Sequence, residues 1–162
     1  MIGCYMRIPA DLLNDLKQDP EAIEGLLQDA EDPQVPDEAR LDIDKSWHII
    51  HFLLTGQSWG GAAPLSNAVC GGTALGDVDI GYGPARFLEP NEVGDVAAAL
   101  SRITAAELWS RLSTEAAVEA QIYPSGTWTS DAFPYVAHHY ERLQTFYRAA
   151  ANRGEAVLSY LS

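Results

Sequence analysis

Asp44, His48, His51 and Thr55 follow one another at intervals of four, three and four residues. On a helix turning about 100° per residue, that spacing places a carboxylate, two imidazoles and a hydroxyl in a single row. Such a row can move protons, with His51 as general acid or base and Asp44 orienting its ring. It can also offer a metal two imidazoles, His48 and His51, with Asp44 as a third ligand. The spacing differs from the His-Glu-x-x-His of helical zinc sites, so no metal and no cofactor is assigned. A structural alternative stands beside both. Asp44 then caps the helix, His51 is hydrogen-bonded at the core edge, His48 lies at the surface, and the row ties the long loops to the helix.

A second chemical candidate is the glycine-rich run from Gly71 to Arg86. Backbone N–H groups freed by glycine can converge on an anion, and Arg86 can add a bidentate contact to a phosphate or carboxylate. Tyr82 in this run, Trp59 in the preceding Gly-rich segment and Thr55 complete the ligand-binding candidates. No Walker or dinucleotide glycine pattern is present. The alternatives are a loop that needs positive φ at Gly81 and Gly83, an Arg86 paired with Asp42 or Asp44, and a Trp59 folded onto the core. Nucleophilic chemistry has little support, because Cys4 and Cys70 sit in apolar segments and no Gly-x-Ser-x-Gly elbow occurs.

The element that must position the row is a helix over residues 45–55. Asp44 is its expected N-cap and Gly56 its left-handed terminator, with Trp47, Ile49, Ile50, Leu53 and Leu54 turned to the core. Upstream, residues 2–8 read as a strand ended by Pro9, and Asp11 to Lys17 as a short helix. A second helix starts at Asp19-Pro20-Glu21, with Ile23, Leu26, Leu27 and Ala30 buried, and Glu31 to Arg40 reads as a loop. Downstream, Pro64 to Val69 reads as a short helix and Ala85 to Leu88 as a strand. Pro90 starts a helix with Val93, Val96, Ala97 and Leu100 on one face. Thr104-Ala105-Ala106-Glu107 is a capping box, and residues 114–120 add a turn or two. The longest helix spans about 130–152 on a stripe of Val136, Tyr140, Leu143, Tyr147 and Ala150, and residues 156–161 close the chain as a strand. The sum is one α+β domain over 1–162, mostly helical, with helices packed around a small sheet of N-terminal, middle and C-terminal strands.

Composition limits the partners. The 162 residues carry a formal charge of -13, and residues 10–44 alone hold twelve acids against two bases. Such a lobe repels a phosphate backbone, which argues against nucleic acid and leaves a basic protein partner or a solvated acidic face. No run reaches the length of a membrane span. No basic segment or apolar stretch precedes Cys4, so Met1–Cys4 is not expected to be a lipoprotein cleavage site, and the two cysteines are expected to be reduced thiols of a cytoplasmic protein.

Several segments occur together in a specific order: 41–48 (Leu-Asp-Ile-Asp-Lys-Ser-Trp-His), 51–56, 81–86 (Gly-Tyr-Gly-Pro-Ala-Arg), 122–124 and 146–151, followed by the apolar ending. On these the chain resembles the YfbM-like family of bacterial proteins, a domain of unknown function, from Met1 almost to Ser162. The resemblance implies a single cytoplasmic α+β domain and brings no catalytic residues. Glu89 departs from the expected cap before Pro90, where Thr would serve better. Two functions follow. One is a binding or interaction protein with an acidic face. The other is a small enzyme or anion receptor whose pocket is formed by the Asp44/His48/His51/Thr55 face and the Gly71–Arg86 loop.

Overall fold

Strand-forming residues from the two ends of the chain pair in the middle of one sheet. The computed structural model describes residues 1–28 and 32–162. In it β1 (Gly3–Ile8) lies antiparallel to β5 (Ala156–Leu161). β2 (Arg40–Asp42) adds to β1, and β4 (Arg86–Leu88) adds to the other side of β5. β3 (Thr73–Ala74) forms the far edge, so the order is β2-β1-β5-β4-β3.

Alternation along the strands divides the core in two. Met6, Ile8, Phe87, Ala156 and Leu158 face α1 (Ala10–Gln18) and α2 (Ala22–Gln28), which bury Leu13, Leu16, Ile23 and Leu26. Tyr5, Leu88 and Val157 belong to the opposite core with α3 (Trp47–Thr55), α4 (Pro90–Leu100), α5 (Ala105–Trp109), α6 (Thr114–Glu119) and α7 (Phe133–Arg153). The α7 stripe Val136, Tyr140, Leu143, Tyr147 and Ala150 is wholly buried there, as its periodicity predicts. The fold is α+β, with helices on both faces of an antiparallel sheet.

Several boundaries shift for identifiable reasons. Residues 40–42 pair with β1 instead of ending a loop, and the predicted helix from Pro64 is only a 3-10 turn at Ser66–Ala68. The predicted position of Ala30 in the second helix, and that of Glu31 at the start of the loop, lie outside the described residues. Glu89 does precede α4: its N–H is bonded by the Glu92 carboxylate at 2.9 Å, and its own carboxylate pairs with Lys17.

The largest correction concerns Asp44. It is not an N-cap, since it sits at φ 48 in a 3-10 turn (Asp44–Ser46) and the α-helix begins at Trp47. Its N–H donates to Asp42 Oδ1 at 2.7 Å, and its own carboxylate accepts the Tyr135 hydroxyl at 3.0 Å. Gly56 is the left-handed terminator at φ 75.

Candidate functional site

The two imidazoles of the polar row do not face solvent, while Asp44 and Thr55 at its ends are half-buried. His48 and His51 are both buried, because the segments 57–61 and 121–124 cover that side of the helix. His48 is bonded at both nitrogens: Nδ1 accepts the Tyr123 N–H at 2.9 Å, and Nε2 lies 2.9 Å from the Ser58 carbonyl. These partners require a neutral ring protonated on Nε2, and burial lowers its pKa. Thr55 Oγ1 donates to the His51 carbonyl and accepts the Gln57 N–H, which closes the helix end. The expectation that His48 lies at the surface is therefore corrected.

The row is scaffolding for a loop. His48 holds Ser58 while its ring, stacked on Trp47, carries Trp59 at 5.0 Å. His48→Phe leaves the Tyr123 N–H and the Ser58 carbonyl without partners, an expected loss of roughly 2–4 kcal/mol. Denaturant unfolding of that variant checks it, with the Trp59 loop expected to become more protease-sensitive.

Asp44, His51 and Arg86 do not form one constellation. Asp44 is engaged by Tyr135, and the His51 ring is buried against the Gly60 backbone, with no well-formed hydrogen bond at either nitrogen among the described residues. The pocket expected between the α3 row and the glycine loop is not formed from the row's four residues. Among the described residues, no group of three His, Cys, Asp or Glu side chains gathers in a way that could hold a metal.

What the structure does bring together is Trp59, Tyr82 and Arg86. They line one cleft of about 210 Å³ whose floor is the sheet surface at Gly3, Tyr5 and Ser159. The floor follows from register: Tyr5 is opposite Ser159, and Ser159 opposite Arg86, so all three project from the same face. Trp59 and Tyr82 form the lips, 56% and 60% exposed. Tyr82 is displayed by a tight loop in which Asp79 Oδ1 accepts the Gly81 and Gly83 N–H groups, both at 3.0 Å. Those two bonds hold the Asp79 carboxyl below its usual pKa.

Arg86 is fixed by backbone. Its Nε donates to the Gly71 carbonyl at 2.9 Å and its Nη2 to the Gly72 carbonyl at 2.6 Å. The expected pairing with Asp42 or Asp44 is absent: the ion pairs among the described residues are Arg7–Glu155 and Lys17–Glu89. A cation therefore stands in the cleft without a carboxylate partner among the described residues. Beside it, burial pushes the Cys70 thiol up to about 12, despite the nearby Arg86 charge, so this sulfur is not a thiolate nucleophile at neutral pH. The floor residues carry no local sequence signal, because strand pairing alone assembles them.

Comparison with known proteins places this geometry in a family. Residues 1–160 match the family model described as a domain of unknown function (DUF1877). The chain belongs to that family. It is 31% identical over 171 residues to the protein YfbM of Escherichia coli (strain K12), spanning 99% of this chain and 98% of that one. The crystal structure of YfbM from Escherichia coli, a protein of unknown function, superposes with a TM-score of 0.75 at 29% identity and covers 98% of each chain. The resemblance carried by the quoted segments thus extends over the whole fold. None of these descriptions names a ligand or a reaction.

Proposed function

We propose that the protein is a cytoplasmic binding protein whose cleft receives the acidic group of a compact ligand with an apolar or aromatic body. The observation that carries this reading is the placement of Arg86. Its guanidinium is oriented by two backbone carbonyls, unopposed by any described carboxylate, and Arg86 lines the same cleft as two aromatic side chains that are more than half exposed. An oriented guanidinium binds carboxylate or phosphate through charge-assisted bonds, while Trp59 and Tyr82 supply flat apolar walls. The cleft volume, below the roughly 300 Å³ at which drug-sized ligand sites begin, favours a small molecule. The unpaired thiols Cys4 and Cys70 support the compartment.

Titration with benzoate and with phenyl phosphate, followed by tryptophan fluorescence, tests this. Saturable binding is expected, weakened about 10- to 100-fold by Arg86→Met, as losing a charge-assisted bond implies. No saturation at millimolar ligand, or equal affinity in the variant, would refute the cleft.

A basic protein partner on the acidic lobe is a second reading. It is supported by Asp11, Asp15, Asp19, Glu21 and Glu24, all exposed on or beside α1 and α2. Salt-sensitive co-purification, lost when these acids are replaced by amides, would mark it.

A further inference from the structure

We infer that a second anion site lies on the other side of β1, in a groove between β1, β2 and α7, and that it takes a small polyanion bearing phosphate or several carboxylates. This goes beyond the cleft and does not depend on it. The groove, about 440 Å³, is lined by Arg7, Arg40, Arg142 and Arg153, with Phe146 in its wall and Glu38 at its rim. The guanidinium groups of Arg7, Arg142 and Arg153, three of the ten basic residues of a chain with net charge -13, converge there, and Arg40 borders it through its strand position. Arg142 and Arg153 stand three helical turns apart on the same edge of α7, with Arg7 of β1 opposite that edge, while Arg40, paired with Met6, turns its guanidinium to the α2 face of the sheet.

The second observation is Arg7 itself. It is 5% exposed, and its guanidinium lies 5.7 Å over the Phe146 ring. Nη2 donates to the Glu38 carbonyl at 2.6 Å, but Nε and Nη1 have no hydrogen-bond partner, and the Glu155 carboxylate stands 3.7 Å from Nη1. A guanidinium this buried, with two of its nitrogens unbonded, is a costly feature that an anion in the groove would offset. Arg40 is committed to the Val35 and Leu26 carbonyls on the other face of the sheet and takes no part in the grip. Arg142 spends one nitrogen on the Asp42 carbonyl, and Arg153 is exposed. The two α7 arginines are therefore the groups that grip the ligand, with Arg7 reinforcing them from beneath. A planar fork on each suits phosphate and carboxylate oxygens. A long nucleic-acid backbone would have to leave the groove onto acidic surface, whereas a compact polyanion does not.

The test is calorimetric titration with inorganic pyrophosphate and with citrate, at fixed ionic strength, on the whole chain. Saturable binding with a dissociation constant of about 1 mM or tighter is expected for at least one of them, and the tighter of the two names the acid the groove prefers. The double variant Arg142→Gln/Arg153→Gln should weaken it at least tenfold. Arg102→Gln, which removes an exposed charge lining a different surface depression, should leave it within about twofold. No saturable heat with either anion, or equal losses in the Arg102 and α7 variants, would overturn the site.

Discussion

Acidification from pH 6.5 to about 4 is expected to cost the fold roughly 3 kcal/mol, with His51 as the main contributor. The ring is fully buried, burial and the neighbouring His48 lower its pKa to about 4, and the contact with the Gly60 backbone offsets only part of that. The folded state must therefore keep His51 neutral while the unfolded chain protonates it near pH 6.5. Between those values the unfolded state binds more protons, so stability rises with pH in that window. The stabilisation is complete above about 6.5 and is lost as pH falls to about 4. His48 and His139, both lowered chiefly by burial, add in the same direction. Because the buried imidazole has only a weak contact with the Gly60 backbone, His51→Leu should lie within about 1 kcal/mol of the parent at pH 7 and should flatten the acid limb. Urea unfolding of both proteins at about pH 7 and about pH 4.5 measures this. An unchanged acid limb in the variant would show that His51 titrates freely.

Replacing Gly72 by alanine is expected to remove about 2–4 kcal/mol and to abolish ligand binding in the cleft. Gly72 has φ 84, and a Cβ there would lie 2.6 Å from the Phe87 carbonyl oxygen, which is backbone of β4 and cannot turn aside. Relief requires β3 or β4 to move. The Gly72 carbonyl orients Arg86, and Arg86 is itself the first residue of β4, so the guanidinium moves with it. Gly83 provides the comparison. It also has positive φ, at 95, but a Cβ there meets nothing within 4 Å. Gly83→Ala should therefore cost only about 1–2 kcal/mol, from backbone strain alone. Thermal unfolding with benzoate titration of the two variants separates the effects. Equal losses would mean that strain, and not the clash with β4, governs this edge.

Long periodic elements were readable from the sequence. The α7 stripe repeats over about four turns, Pro90 and the Thr104–Glu107 box mark helix starts, and the apolar ends of the chain form the central strand pair. The short strands β2 and β3, of three and two residues, have no periodicity to read and exist because β1 and β4 offer them open edges. The helical wheel of α3 misled because it assumed one wet face. In fact Trp47, His48, Ile49, Ile50, His51, Leu53 and Leu54 are all buried, and such an almost all-round apolar run signals a covered helix. Asp44 looked like a cap by residue type, but its left-handed backbone and its bond to Tyr135, 91 positions away, are tertiary facts. Trp59, Tyr82 and Arg86 stood out as unusual residues in glycine-rich segments. Their convergence depends on the Tyr5–Ser159–Arg86 register across three strands, which no local pattern encodes.

The central claim is that recognition resides in the cleft while the α3 row holds the Trp59 loop in place. Two-dimensional amide and indole NMR during a benzoate titration tests it most directly. The account predicts saturating shifts at Gly71, Gly72, Tyr82, Arg86, Ser159 and the Trp59 indole, with Asp44, His51 and Thr55 unmoved. Shifts centred on Asp44, His51 and Thr55, with none at Arg86, would contradict it.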